Sequence, residues 1–232
     1  MKPKNSLNVS EMFYSIQGEG RYAGTPSFFL RLQHCNLLCR WCDTIEIWKR
    51  GNPYNTSELI DIWKEKGWIT KLQSKKAHLV ITGGEPLLQQ SNLEDLLKCL
   101  GDIFVEIETN GTITPTKGFD EFINQYNVSP KLANSGMSMN KRYYPEVIEC
   151  FSKKENADFK FVIVSYEDVK ELIDSFITRF EIPNSRIYLM PESTTKEELE
   201  KRSPLIIEIC KEYGFRYSSR LQLSIWDKVT GI

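Results

Sequence analysis

The chain has 232 residues, 41% of them hydrophobic and 26% charged, and its 30 Lys+Arg against 31 Asp+Glu leave a formal net charge of -1. That balance excludes a dominantly disordered chain and offers no global positive field to a polyanion, so no nucleic-acid partner is expected. Apolar runs such as Phe28-Phe29-Leu30 are strand-length, far below the ~20 residues a spanning helix needs, and Met1-Lys2-Pro3-Lys4-Asn5 carries no signal-like apolar core; no membrane association and a cytoplasmic location are expected.

Taken in chain order, residues 1–27 precede the first clear strand and read as an N-terminal extension, a hairpin or arm with Gly18, Gly20 and Gly24 at its turns. Strands are expected over 28–32, 78–82, 103–108, 127–129, 159–164 and 186–190, with a last one over 221–225. Helices are expected between them, over 57–66, 92–100, 118–126, 144–153, 167–180 and 196–213. Thr56 or Ser57 marks one helix start, and Thr194-Thr195-Lys196-Glu197-Glu198 is a near capping box at another.

Strands separated by helices of this length cannot pair as hairpins, so the fold class is α/β with repeated βαβ units and a parallel sheet. About six repeats are too few for a closed eight-fold barrel. An open, partial (β/α)6 barrel over 28–232 fits, the whole chain 1–232 forming a single domain; a flat doubly wound sheet shares the same element order. The glycine-rich and polar runs Thr82-Gly83-Gly84-Glu85-Pro86, Glu108-Thr109-Asn110-Gly111, Ser129-Pro130-Lys131 and Pro191-Glu192 each follow a predicted strand. In parallel α/β folds those strand ends form one rim, where ligands bind.

Of the six cysteines, three crowd into Cys35-Asn36-Leu37-Leu38-Cys39-Arg40-Trp41-Cys42, directly after the first strand of the repeat. Three such thiolates can hold three irons of a [4Fe-4S] cube and leave the fourth iron open. A structural zinc loop is the alternative reading; it needs a fourth ligand, and the nearest candidate, His34, points to the other side of an extended chain. Cys99, Cys150 and Cys210 lie singly in apolar helical contexts and read as small core residues.

The Cys-x3-Cys-x2-Cys loop followed one βα unit later by Gly-Gly-Glu-Pro resembles the signature pair of the radical S-adenosylmethionine superfamily. Phe13-Tyr14-Ser15-Ile16-Gln17-Gly18-Glu19-Gly20, Phe28-Phe29-Leu30-Arg31-Leu32, Cys39-Arg40-Trp41-Cys42-Asp43-Thr44, Glu108-Thr109-Asn110-Gly111-Thr112 and Val128-Ser129-Pro130-Lys131 resemble, in that order, the 7-carboxy-7-deazaguanine synthase family over nearly the whole chain. The resemblance implies a lyase that uses a [4Fe-4S] cluster, S-adenosylmethionine and Mg2+. In that family a 5'-deoxyadenosyl radical takes hydrogen from 6-carboxy-5,6,7,8-tetrahydropterin, which contracts with loss of ammonia to 7-carboxy-7-deazaguanine for queuosine-type biosynthesis.

Carried over by motif, the resemblance implies that Cys35, Cys39 and Cys42 hold the cluster and that Thr44 meets Mg2+. Trp41, Cys42, Asp43, Gly84, Glu85, Glu108, Asn110, Ser129, Pro130 and Lys131 would face S-adenosylmethionine, with Glu85 supplying charge to its ammonium. Ile16, Gln17, Gly18, Glu19, Arg31, Thr82 and the terminal Ile232 would face the pterin. A homodimer and an electron donor such as a flavodoxin or ferredoxin are implied too. Gln222-Leu223-Ser224 departs from the Gln-x-His of many relatives, and Met190 replaces a Gln before Pro191. The rival enzyme is a glycyl-radical activating enzyme, which would need an open groove for a peptide.

Overall fold

The computed structural model describes residues 6–229 and 231. One nine-stranded sheet runs through it, made of β1 (Ser6–Ile16), β2 (Pro26–Leu32), β3 (Asn52–Asn55), β4 (His78–Gly83), β5 (Val105–Thr109), β6 (Gln125–Val128), β7 (Ala157–Ile163), β8 (Ile187–Pro191) and β9 (Arg216–Tyr217). From β4 to β9 every neighbour is parallel and next in sequence, β2 pairs parallel with β4, and β1 and β3 continue the sheet antiparallel beyond β2, β3 having left the β2-to-β4 connection for the far edge. A doubly wound sheet reverses its strand order at a switch point. Sequential order winds one way, as a partial barrel does, and settles the ambiguity left by periodicity.

Each strand separates two faces by its period of two. Phe28, Leu30, Leu79, Ile81, Val105, Ile107, Tyr126, Val128, Phe159 and Phe161 lie in register on the outer face and are buried. They pack with helix residues including Leu59 and Trp63 of Thr56–Glu65, Leu93, Leu96, Leu97 and Leu100 of Gln90–Leu100, and Ile206 and Ile209 of Lys196–Tyr213. Burying each such side chain contributes roughly 1.5–3 kcal/mol before chain entropy is set against it. The alternate positions, Arg31, Thr82, Glu106, Glu108, Asn127, Asp158 and Lys160, are polar and face inward.

The N-terminal extension is a hairpin: β1 pairs with β2, and its turn is closed by Gln17 N–H to Thr25 O (2.7 Å) and Gly24 N–H to Gln17 O (2.7 Å). The helix expected from Thr56 or Ser57 is capped one residue earlier, by an Asn55/Glu58 capping box. Thr195 caps the next expected start, accepting Glu198 N–H at 3.1 Å.

Three expectations are corrected. Of the helix expected over 118–126, only Lys117–Asp120 is helical, because Gln125 and Tyr126 are needed as β6 partners of Glu106 and Ile107. The strand expected over 221–225 is the helix Leu221–Trp226: β9 already occupies the edge beside β8, and of the alternating apolar residues only Leu223 is buried. Cys99 is exposed, since Leu93, Leu96, Leu97 and Leu100 claim the core face of its helix; Cys150 is half-buried and Cys210 buried. Among the described residues, no helix is long and apolar enough to cross a membrane.

Candidate active site

The carboxyl ends of the strands, the 17–20 turn and the C-terminal helix enclose a cavity of about 640 Å³, within the usual range for small-molecule sites. It is lined by Ile16, Gln17, Gly18 and Glu19 from the turn, Arg31 from β2, and Cys35, Cys39, Trp41, Cys42, Asp43 and Thr44 from the following loop. Thr82 and Gly84, then Glu108 and Asn110, then Ser129 and Lys131 add the ends of β4, β5 and β6. Glu85 and Pro130 do not line it, and Ile232 lies outside the described residues.

The cysteine loop is shaped by its own backbone and by the glycines beneath it. Cys42 N–H donates to Cys39 O (3.1 Å), and Leu37 N–H points at Cys35 Sγ (3.4 Å). Gly84 N–H reaches Leu32 O (3.1 Å) and Glu85 N–H reaches His34 O (2.8 Å). A Cβ on Gly84 would collide with the His34 carbonyl, and Gly83 combines φ 136° with the same closeness to Leu32. The glycines therefore serve the approach of β4 to the cysteine loop. Gly84→Ala is expected to cost roughly 1–3 kcal/mol and to lower iron bound per chain; thermal unfolding and iron analysis after reconstitution check this, and unchanged values would mean the loop has room.

Glu85 is placed differently from the expected ammonium contact. Its carboxylate is fully buried and accepts Leu87 N–H (3.0 Å), Asn110 N–H (2.7 Å) and Thr109 Oγ1–H (2.9 Å). Burial raises its pKa while these donors hold it down. It splices the β4 and β5 loops together behind the cavity wall.

The number of thiols suits a cube with one open iron. Cys39 is buried and Cys35 and Cys42 are half-buried, and burial pushes the Cys35 thiol up to about 11 and raises Cys39. Both are therefore protonated thiols at neutral pH unless metal displaces the proton. All three line the same cavity. A structural zinc site wants four closed ligands, whereas in a cube each thiolate takes its own iron and three protein ligands suffice.

Around the thiols, Asn110 Nδ2–H donates to Asn36 Oδ1 (2.9 Å), and Trp41 Nε1–H donates to Asn134 Oδ1 (3.1 Å). Lys131 sits over the Trp41 ring at 5.4 Å and donates to Ser129 Oγ (2.9 Å). Its burial lowers its pKa. Thr44 begins the short helix Ile45–Trp48, its Oγ1 3.7 Å from Cys42 Sγ.

The other polar wall is built from the inward strand positions. Gln17, buried, has its amide nitrogen between Glu106 (3.4 Å) and Glu108 (3.3 Å), and its oxygen accepts Glu19 N–H (3.2 Å). Thr82 Oγ1–H donates to Glu108 (2.7 Å), and Arg31 Nε–H donates to Glu11 (2.7 Å). Glu19 is paired with Lys160 and Arg220 and accepts from Gln222 Nε2 (2.8 Å). Burial alone would raise its pKa, but the two cations outweigh it and hold Glu19 at about 2.

Lys160, Arg220, Glu106 and Gln222 lie at the site although they were not among the expected site residues. A signal for Lys160 and Glu106 existed: each sits on the face opposite the apolar alternation of its strand. Arg220 carried none, because the helix after it read as a strand.

The chain matches the model of the radical SAM superfamily over residues 31–202. It is 34% identical to a 7-carboxy-7-deazaguanine synthase of Pyrobaculum aerophilum over 97% of each chain. Another of the same name from Halobacterium salinarum is 34% identical over 96% of this chain and 91% of the relative. The crystal structure of QueE from Escherichia coli superposes with a TM-score of 0.69 at 25% identity, covering 95% of this chain and all of that one (100%). With the cysteine loop, the sequentially wound sheet and these likenesses along almost its full length, the chain belongs to the radical SAM superfamily and, within it, to the 7-carboxy-7-deazaguanine synthase family.

Proposed function

We propose that this enzyme contracts 6-carboxy-5,6,7,8-tetrahydropterin to 7-carboxy-7-deazaguanine with loss of ammonia, as a carbon–nitrogen lyase of 7-deazapurine biosynthesis. The observation that carries this reading is that one cavity of about 640 Å³ holds both the three cysteines and the Gln17, Glu19 and Arg31 side chains. Superfamily membership brings a [4Fe-4S] cluster, S-adenosylmethionine and a source of electrons. When bound, that pair supplies one-electron reduction and a hydrogen-abstracting radical.

The chain's own residues bind and orient. Arg31 is anchored through Nε, and its two terminal nitrogens have no partner among the described residues; that fork matches a substrate carboxylate. Glu19, held ionised, accepts from the amino edge of a pterin, and Gln17 and Thr82, fixed by Glu108, read the neighbouring ring atoms. Ser129, Lys131, Trp41, Asp43, Asn110 and Gly84 line the wall near the cysteines and suit the polar parts of S-adenosylmethionine. A glycyl-radical activating role is disfavoured by a wall of paired charges matched to a small polar acid.

The same reading carries finer expectations. The Thr44 hydroxyl on the cavity wall supports a Mg2+ that keeps waters and substrate oxygens as its other ligands. Residues 1–27 act as the substrate-binding extension of a single domain. We also propose a flavodoxin or ferredoxin as electron donor, a homodimer, a cytoplasmic location and no nucleic-acid partner, supported by the family resemblance and the charge balance.

The test is anaerobic reconstitution with iron and sulfide, then incubation with 6-carboxytetrahydropterin, S-adenosylmethionine and a reductant. Formation of 7-carboxy-7-deazaguanine with an equal amount of ammonia is expected. Iron-loaded protein that cleaves S-adenosylmethionine yet leaves the pterin intact would sink the substrate assignment, and stoichiometric zinc with no iron uptake would sink the enzyme reading.

A further inference from the structure

Arg220 touches three different segments of the cavity wall, each through a different nitrogen. Nε–H donates to Glu19 at 3.2 Å, one terminal nitrogen donates to the Ser193 carbonyl, and the other pairs with Asp43. Its side chain is 12% exposed. Glu19 belongs to the hairpin turn, Ser193 follows β8, and Asp43 directly follows Cys42 in the cysteine loop. The turn is tied to the same C-terminal segment by Leu221 N–H to Gly18 O (3.0 Å) and Gly20 N–H to Ser218 Oγ (3.0 Å). Lys160 holds the other oxygen of Glu19, so four alternating charges, Asp43, Arg220, Glu19 and Lys160, run along the wall.

A guanidinium is planar and rigid, so a shift at one nitrogen is felt at the others. Resting on the proposed function, we infer that Arg220 is a positioning residue that couples the substrate end of the cavity to the cysteine loop. When donors on the pterin edge take over part of Glu19, Arg220 is released toward Asp43 and Ser193 and firms the segment beside Cys42. That segment is then ordered for S-adenosylmethionine before it arrives. By linkage the effect is reciprocal, so each ligand tightens the other by the same factor.

The experiment is equilibrium calorimetry on cluster-loaded enzyme kept oxidised, so that no turnover occurs. The S-adenosylmethionine Kd is measured with and without saturating 6-carboxytetrahydropterin. The wild-type ratio is expected to be about fivefold or more, falling to within about twofold of unity in Arg220→Gln and partly recovering in Arg220→Lys, whose single ammonium cannot bridge three partners. Because the readout is a ratio, a general loss of affinity cancels, which separates coupling from mere structural damage. Should Arg220→Gln not fold, Asp43→Asn decides, since it cuts the same link at its other end and is expected to bring the ratio to unity. A wild-type ratio of one, or a wild-type ratio retained in the folded variant, overturns the inference. Failure of the pterin to bind at all speaks instead against the proposed function.

Discussion

Replacing Cys35, Cys39 or Cys42 by Ala is expected to abolish iron binding and turnover, whereas Cys99→Ala, Cys150→Ala and Cys210→Ala keep full iron content. The first three share one loop and line the cavity. The others are separate: Cys99 is exposed, Cys150 half-buried, and Cys210 buried on the core face of Lys196–Tyr213. With three ligands for a cube, losing one leaves two irons without protein sulfur. Cys210→Ala should cost only about 1 kcal/mol, the price of one buried atom. Iron and sulfide per chain, with the charge-transfer absorbance, check the set; iron retained by Cys39→Ala and lost by Cys150→Ala would overturn the assignment.

The second large effect is expected at Glu19. Glu19→Gln leaves Lys160 and Arg220 buried side by side with their shared counter-charge gone, and breaking one member of such a buried set typically costs about 3–5 kcal/mol. The pH dependence has a definite sign. Held at about 2 rather than the ordinary 4.5, the folded carboxyl binds fewer protons than the unfolded one between those values. Its contribution, roughly 3 kcal/mol, is therefore complete above about pH 5 and lost progressively as pH falls toward 2. Urea midpoints of wild type and Glu19→Gln should differ most near neutrality and draw together in acid. Parallel pH profiles would show that Glu19 is not the ionised partner of those cations. Asp43 keeps one charge on Arg220 in the variant, so loss of substrate affinity should exceed loss of fold.

Much of this molecule was readable one strand at a time. β-rich runs such as 159–164 announced the strands, and strand-end runs such as Ser129-Pro130-Lys131 announced the rim. The misreadings came where local pattern and long-range demand disagreed. Residues 118–126 have helical spacing, but the parallel ladder with β5 claims Gln125 and Tyr126. Leu221, Leu223 and Ile225 alternate like a strand, but β9 already takes the place beside β8, and only Leu223 of the three is buried. Glu85 was charged, near the cysteines and beside two glycines, yet its carboxylate turns to the Asn110 and Thr109 donors that only folding brings near it.

By itself the sequence determined the cysteine loop, the order of βα units and the strand-end runs that form the rim. These depend on spacings of a few residues and on local runs. Only the tertiary structure decided which inward charges meet. Glu19 and Arg220 are 201 residues apart and Glu19 and Lys160 are 141 apart, and periodicity names the face of a side chain without naming its partner. Burial then makes those pairings obligatory, because a charge taken out of water there must find its opposite.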